Sequence, residues 1–225
     1  MHQVTRPLIA EFIGTFALIF IGVLSISAVN ITQAPNGLAS LASIGMAHGL
    51  TIAVMVASLG AISGGHFNPA VTAAFMATGR TNPVLGVMYM AAQLAGATAA
   101  GFLLSGLFGK TDVGAATPAL APQVSATTGI IVEIITTFFL VLVIFGTAVD
   151  ERAPKNIFPL IIGFTVALDI MATAPLTGGA MNPARAFGPA LASGMWANHL
   201  VYWVGPLVGG VLAGLVQNFV LMEKK

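Results

Sequence analysis

Apolar residues run along this chain in six stretches long enough to cross a bilayer, separated by short polar or glycine-rich breaks. A spanning helix needs about 20 mostly apolar residues. Residues 8–29, 38–59, 82–108, 127–149, 157–174 and 197–221 meet that requirement. Two further segments, 68–78 and 182–193, are apolar but too short to span, and each is predicted as a half-length helix. A glycine pair precedes each one: residues 64–72 read GGHFNPAVT and residues 178–188 read GGAMNPARAFG. In hydrocarbon every backbone polar group needs a partner, so non-helical chain survives at membrane depth only inside protein or beside a water-filled path. Two such breaks in matching places predict re-entrant segments that face each other near the midplane and line a pore. Pro35-Asn36-Gly37 marks a turn, residues 109–126 read as an exposed loop, and residues 150–156 form a short link with four charged side chains.

Composition agrees with the spans. Hydrophobic residues make up 57% of the chain and charged residues 7%, with a mean hydropathy of +0.96. A soluble domain is typically about 25% charged. A net charge of +1 gives no footing for nucleic acid. There is no cysteine, hence no disulfide, thiol chemistry or Cys-based metal site. The N-terminus has no small-residue cleavage site after a short apolar core and reads as the first span rather than a signal peptide. No nucleophile–base pair, metal cluster or phosphate-binding loop is visible, so an enzyme is not expected and no cofactor is implied. Basic residues set orientation. Arg6, Arg80, Arg152, Lys155, Lys224 and Lys225 fall on one side, taken as cytoplasmic together with both termini, and only Lys110 falls opposite.

The halves repeat at an offset of 114 positions, Asn68 onto Asn182. Gly49, Thr51 and Ala53 then match Gly163, Thr165 and Ala167, and Gly64-Gly65 match Gly178-Gly179. Glu11 and Glu133 open the first span of each half. Three spans per copy is an odd number, so the second copy must be inverted. The expected fold is an all-α membrane protein: one domain over 1–225, with inverted repeats 1–108 and 127–225 joined by loop 109–126.

Asn is a strong N-cap and Pro suits the first helical position. If Asn68 and Asn182 cap their own helices through the carbonyl oxygen, their NH2 groups remain as outward donors beside two positive dipole ends. A water there would offer its oxygen to both donors and turn its hydrogens along the pore, which interrupts proton hopping, while the positive field repels cations. The blander reading is that both Asn-Pro pairs merely cap buried helices. Arg185, a charge in an apolar context, is a functional candidate by default. Glu11 and Glu133 need partners inside the bundle. Asp169 needs a partner or a wet surface, and is read as tying down a loop or lying at a subunit contact. His199, Tyr202 and Trp203 read as interfacial.

Two Asn-Pro-Ala triplets in inverted three-span repeats, the second followed by Arg185, resemble the aquaporin (major intrinsic protein) family over nearly the whole chain. The resemblance implies that Asn68, Pro69, Ala70, Asn182, Pro183 and Ala184 form the paired motifs, and that His48, Ile170, Gly179 and Arg185 form the constriction. It implies further that carbonyls of about 64–66 and 178–180 make a ladder of acceptors for water, with Gly64, Gly65, His66, Gly178 and Ala180 lining the pore. Glu11 and Glu133 would brace the loops. Leu18, Ile52, Leu140 and Val166 would form an apolar wall, although ordinary bundle core explains these four equally well. His48 also admits a simple packing role.

A constriction with Ile170 and Gly179 is wider and less aromatic than that of strict water channels. It resembles the plant vacuolar-membrane branch, associated with ammonia and urea as well as water. The ammonia-conducting type carries a histidine in the loop matching 109–126, and this chain has none there. Ala186 stands where the glycerol branch has Asp, and Tyr202-Trp203 where that branch has Pro-Leu. The expected function is therefore a passive water channel with breadth for small neutral solutes (ammonia, urea, glycerol), closed to protons and ions. The resemblance also implies a homotetramer, in the lipid bilayer of the cell membrane. The competing readings are a glycerol-type facilitator and a secondary transporter, which shares inverted repeats and broken helices.

Overall fold

Helix is the only regular structure among the described residues, as backbone in hydrocarbon requires. The structure is a computed structural model that describes residues 2–32 and 37–223, and backbone only for His2 and Gln3. The turn at Pro35-Asn36 and the basic pair Lys224-Lys225 lie outside the described residues. The elements are α1 (His2–Ile31), α2 (Leu38–Ser63), α3 (Pro69–Ala77), α4 (Pro83–Phe108), α5 (Lys110–Ala115), α6 (Ala126–Ile144), α7 (Phe158–Thr177), α8 (Pro183–Ser193) and α9 (Val201–Val216). A single π-turn extends α6 over Phe145–Val149, and another extends α9 over Gln217–Leu221. Six helices are long and apolar enough to cross a membrane, and α3 and α8 are the two short ones. The spans present large apolar side chains outward, among them Ile9, Val54, Phe102, Phe139, Leu168 and Leu212, as lipid-facing helices do.

Helices pack closely here because glycine sits where they cross, letting backbones meet as in other membrane bundles. α2 and α7 cross at Gly49 and Gly163. A Cβ on either glycine would fall on the carbonyl oxygen of the other. Gly96 of α4 lies over Phe12 of α1, and Gly209 of α9 lies over Ile134 of α6 in the same way. Each half-helix is clasped by a span of the opposite half: Gly188 of α8 lies over Ala97 of α4, and Gly210 of α9 lies over Ala70 of α3. Gly205 and Gly214 likewise lie against Glu133 and Ala74, so all four glycines of α9 serve contacts within the chain.

The crossing gives a direct expectation. Gly163→Leu inserts a branched side chain between two backbones, and overpacking alone typically costs about 1–3 kcal/mol. Most of the folded, monodisperse protein should be lost on size-exclusion chromatography in detergent. Phe164→Leu, one position along and half-exposed, should elute like the wild type.

One end of the bundle is tied down by basic side chains. Lys155 Nζ donates to the carbonyls of Thr147, Ala148 and Asp150, which close the π-turn after α6. Arg152 donates to Asp150 (Nη2 to Oδ2, 2.7 Å) and to the carbonyl of Leu221, and Arg80 Nε donates to Asn218 Oδ1. The Arg152 guanidinium, through these hydrogen bonds, holds the Asp150 carboxyl well below the usual carboxylate range, at about 2.

Candidate functional site

The starts of α3 and α8 meet inside the bundle, and the two asparagines do the joining. Asn68 is extended, its Oδ1 accepts from Ala70 N (2.8 Å), and Pro69 occupies the first helical position. Asn182 repeats this, accepting from Ala184 N (2.9 Å) and Arg185 N (3.3 Å) ahead of Pro183. The NH2 groups differ from the expectation of two free donors. Asn68 Nδ2 donates to Met181 O (2.8 Å), and Asn182 Nδ2 donates to Phe67 O (3.0 Å). An amide NH2 carries two protons, so each group keeps one for another acceptor.

Those crossed bonds account for an unusual backbone. Phe67 and Met181 have φ of 48° and 50°, a left-handed conformation that side chains this large rarely adopt. Turning there hands each carbonyl to the opposite asparagine. Strain of this kind costs of order 1–3 kcal/mol per residue and persists only when surroundings enforce it. Glu11 and Glu133 supply the enforcement. Glu11, fully buried, accepts from Ser63 Oγ (2.6 Å) and His66 N (3.0 Å) on Oε1, and from Phe67 N (2.6 Å) and Gln93 Nε2 (2.8 Å) on Oε2. Glu133 accepts from Thr177 Oγ1 (2.7 Å), Ala180 N (3.0 Å) and Met181 N (2.7 Å). Tyr89 and Tyr202 hold the helix ends before the breaks, their hydroxyls donating to Ser63 O and Thr177 O, each at 2.9 Å. Tyr202 is therefore wholly buried, which corrects its interfacial reading, whereas Trp203 and His199 do sit in an aromatic cluster with Phe187 and Trp196 near the surface.

A narrow cavity runs between the two loops. His48, Ile170, Gly179 and Arg185 all line it, as do Leu18, Ile52, Leu140 and Val166, together with Gly64, Gly65, His66, Ala180 and the two asparagines. Room for the centres of water-sized molecules amounts to ≈ 60 Å³. The cavity therefore has room for water molecules. The His48 ring lies against Gly22, where any side chain would collide with it, and its Nδ1 donates to Ile44 O at 2.9 Å. Arg185 Nη1 donates to Ala116 O (3.3 Å), while its Nε has no protein partner.

Three expectations change. Gly178 does not line the cavity: it ends α7 in the left-handed conformation (φ 84°), and a Cβ there would stand 2.9 Å from Pro118 Cα. Residues 109–126 are not simply exposed. They hold α5, bury Val113 and Ala116, and fold back on the end of α7 through Ala121 N to Leu176 O at 2.9 Å, which puts Ala116 O beside Arg185. Among the described residues no loop is seen bonded to the Asp169 carboxylate: Thr173 Oγ1 donates to its backbone carbonyl, and its buried Oδ2 lacks a protein partner. Pro69, Ala70, Pro183 and Ala184 stay buried behind the cavity as the first turns of their helices. Sequence reasoning missed Val56, Phe158, Ile162 and Ile144 as lining residues. The signal existed: they continue the four-residue spacing of His48-Ile52, Val166-Ile170 and Leu140 along their helices.

The family described as "Major intrinsic protein" matches residues 1–217. Aquaporin TIP4-4 of Zea mays is 44% identical over 222 residues, covering 97% of this chain and 88% of that protein. Aquaporin TIP2-1 of Arabidopsis thaliana is 44% identical over 221 residues, covering 96% and 88%. The X-ray structure of the aquaglyceroporin from Plasmodium falciparum superimposes with a TM-score of 0.85 at 26% identity, covering 97% of each chain. This multi-pass membrane chain thus belongs to the major intrinsic protein (aquaporin) family, whose members are passive channels and not enzymes.

Proposed function

We propose that the chain conducts water passively in single file, between its two asparagines and through a filter of His48, Ile170, Gly179 and Arg185. The observation that carries this reading is the paired, half-satisfied NH2 groups of Asn68 and Asn182 on one narrow cavity. Each retains one donor for a passing oxygen, and the helix starts behind them add positive potential against cations. Ile170 and Gly179 leave the His48 imidazole as the filter's one ring, a less aromatic wall that supports passage of small neutral solutes such as ammonia, urea and glycerol. The paired glutamates, tyrosines and glycine crossings support two inverted repeats, 1–108 and 127–225, within one domain. Basic side chains gathered at one end support cytoplasmic termini, and we place the chain in the cell membrane. We read the assembly as a homotetramer.

Stopped-flow light scattering on proteoliposomes tests the function. An outward sucrose gradient should shrink them much faster than empty liposomes, linearly with gradient and with a low activation energy. Parallel traces with urea, glycerol and ammonium read the breadth of the filter. Shrinkage no faster than in empty liposomes would remove the open-channel reading, and saturation with coupling to an ion gradient would indicate a transporter.

A further inference from the structure

Three polar contacts converge on one hydroxyl beside the channel. Thr72, fully buried on α3, has its Oγ1 at 3.1 Å from Asn68 O, 2.9 Å from Gln93 Nε2 and 3.1 Å from His66 Nδ1. The Gln93 amide is oriented from behind. Apart from Gln93, Glu11 accepts from three donors, Ser63 Oγ and His66 N on Oε1 and Phe67 N on Oε2, so Gln93 turns its NH2 group toward Oε2. The second N–H of that group then donates to Thr72.

A hydroxyl offers one proton and two lone pairs. Gln93 fills one lone pair. If the Thr72 proton goes to Asn68 O, the other lone pair accepts from His66 Nδ1–H, and all three contacts are hydrogen bonds. If the proton goes to Nδ1 instead, the Asn68 contact is empty and only two bonds remain. The saturated arrangement places the imidazole proton on Nδ1 and leaves Nε2 bare. Phe75 and Tyr89 hold the ring between them, with centroids at 4.4 and 5.4 Å. Nε2 lies beside Gly64, and both residues line the channel.

Bracing the loop does not require this relay. In the second half Ala180 and Ala186 stand at the positions of His66 and Thr72, and Glu133 holds that loop without them. His48, on the other side of the asparagine pair, reaches the same state by another route. Its Nδ1 donates to a carbonyl, which can only accept, so the neutral ring also carries a bare Nε2.

We propose that Thr72 is a positioning residue, which fixes His66 as its Nδ1–H tautomer so that Nε2 accepts a hydrogen from a permeating molecule. This rests on the water-channel reading. The asparagine pair orients a water with its hydrogens toward the two mouths. On the His66 side a bare acceptor keeps the next water in the same sense, whereas an Nε2–H would present a donor and oppose it.

Solid-state NMR on the full chain in liposomes reads the tautomer directly. With isotope-labelled histidine and glycine, His66 is identified as the only histidine that follows a glycine. The wild type should show a protonated Nδ1 and a bare Nε2. Thr72→Val should move proton density to Nε2 and lower osmotic permeability several-fold, and Thr72→Ser should restore both. A wild-type His66 protonated on Nε2 overturns the proposal, whether or not Thr72→Val folds. So does a folded Thr72→Val with an unchanged His66 spectrum, or a shifted spectrum with unchanged permeability. Wild-type liposomes that shrink no faster than empty ones would instead remove the water-channel reading and leave the tautomer assignment standing.

Discussion

Ile170→Trp should reduce osmotic water permeability by at least about tenfold, toward that of empty vesicles, because resistance in a single-file pore is set by its narrowest point. Ile170 lies on regular α7 helix, is 3% exposed and lines the cavity beside Gly179. An indole there projects into the cavity that His48, Gly179 and Arg185 also line. Gly179→Trp looks like the simpler plug, but Gly179 has φ 55°, a conformation in which any side chain is strained, and its Cβ would stand 3.2 Å from Ile170 Cα. A loss at Gly179 could therefore report a distorted loop rather than a filled pore. Ile170→Trp keeps the backbone, and its control is close at hand. Leu168, two residues away and 64% exposed, faces outward, so Leu168→Trp should conduct like the wild type. Paired stopped-flow traces on the two variants, at equal protein per liposome, decide the matter. Wild-type conduction in Ile170→Trp would mean that water crosses elsewhere.

Most of the fold is legible in the sequence because the bilayer leaves few choices. Apolar length selects the spans, and Asn-Pro after Gly-Gly selects the two helix starts within one residue of where they occur. What periodicity could not show is where a loop goes after it leaves the bilayer. Residues 109–126 carry Gly, Pro and Ala, a composition that suits both an exposed turn and the folded strap that brings Ala116 to Arg185. The tyrosines pose a similar difficulty. Tyr202 beside Trp203 has the pattern of an interfacial pair, and only the approach of α9 to the end of α7 makes it a buried donor to Thr177.

The centre of the site was legible in its residue types but not in its bonding. An asparagine cap is predictable from Asn-Pro. The crossing of each NH2 to the opposite loop depends on the left-handed turns at Phe67 and Met181, two large apolar residues of types that do not signal such a turn. Their shared property is position, one residue before each asparagine, and that acquires meaning only once Glu11 and Glu133 are seen to take their N–H groups. The carboxylates themselves were conspicuous as charges in apolar runs, whereas Gln93 and Thr72, uncharged and surrounded by alanines, were not.

Glu11→Leu should abolish the folded channel. The change strips acceptors from two backbone N–H groups, the Ser63 hydroxyl and the Gln93 amide, in a site closed to water. Ser63 can turn its hydroxyl elsewhere, but the N–H groups of His66 and Phe67 cannot move without the loop. Each buried donor left unpaired costs about 1–3 kcal/mol, set against a total stability of about 5–15 kcal/mol. The left-handed Phe67 loses its restraint at the same time, so the carbonyl offered to Asn182 goes with it. Glu11→Gln separates packing from acceptor number. One glutamine oxygen keeps two of the bonds, and its NH2 faces the other two donors. Gln93 can adapt by flipping, since its Oε1 has no protein partner, but the flip withdraws its N–H from Thr72, and Phe67 N still meets a donor. Yield and thermal midpoint in detergent should therefore fall in the order wild type, Glu11→Gln, Glu11→Leu, with permeability per folded protein already reduced in the glutamine variant. A leucine variant as stable as the wild type would show that the loop holds its shape without the carboxylate.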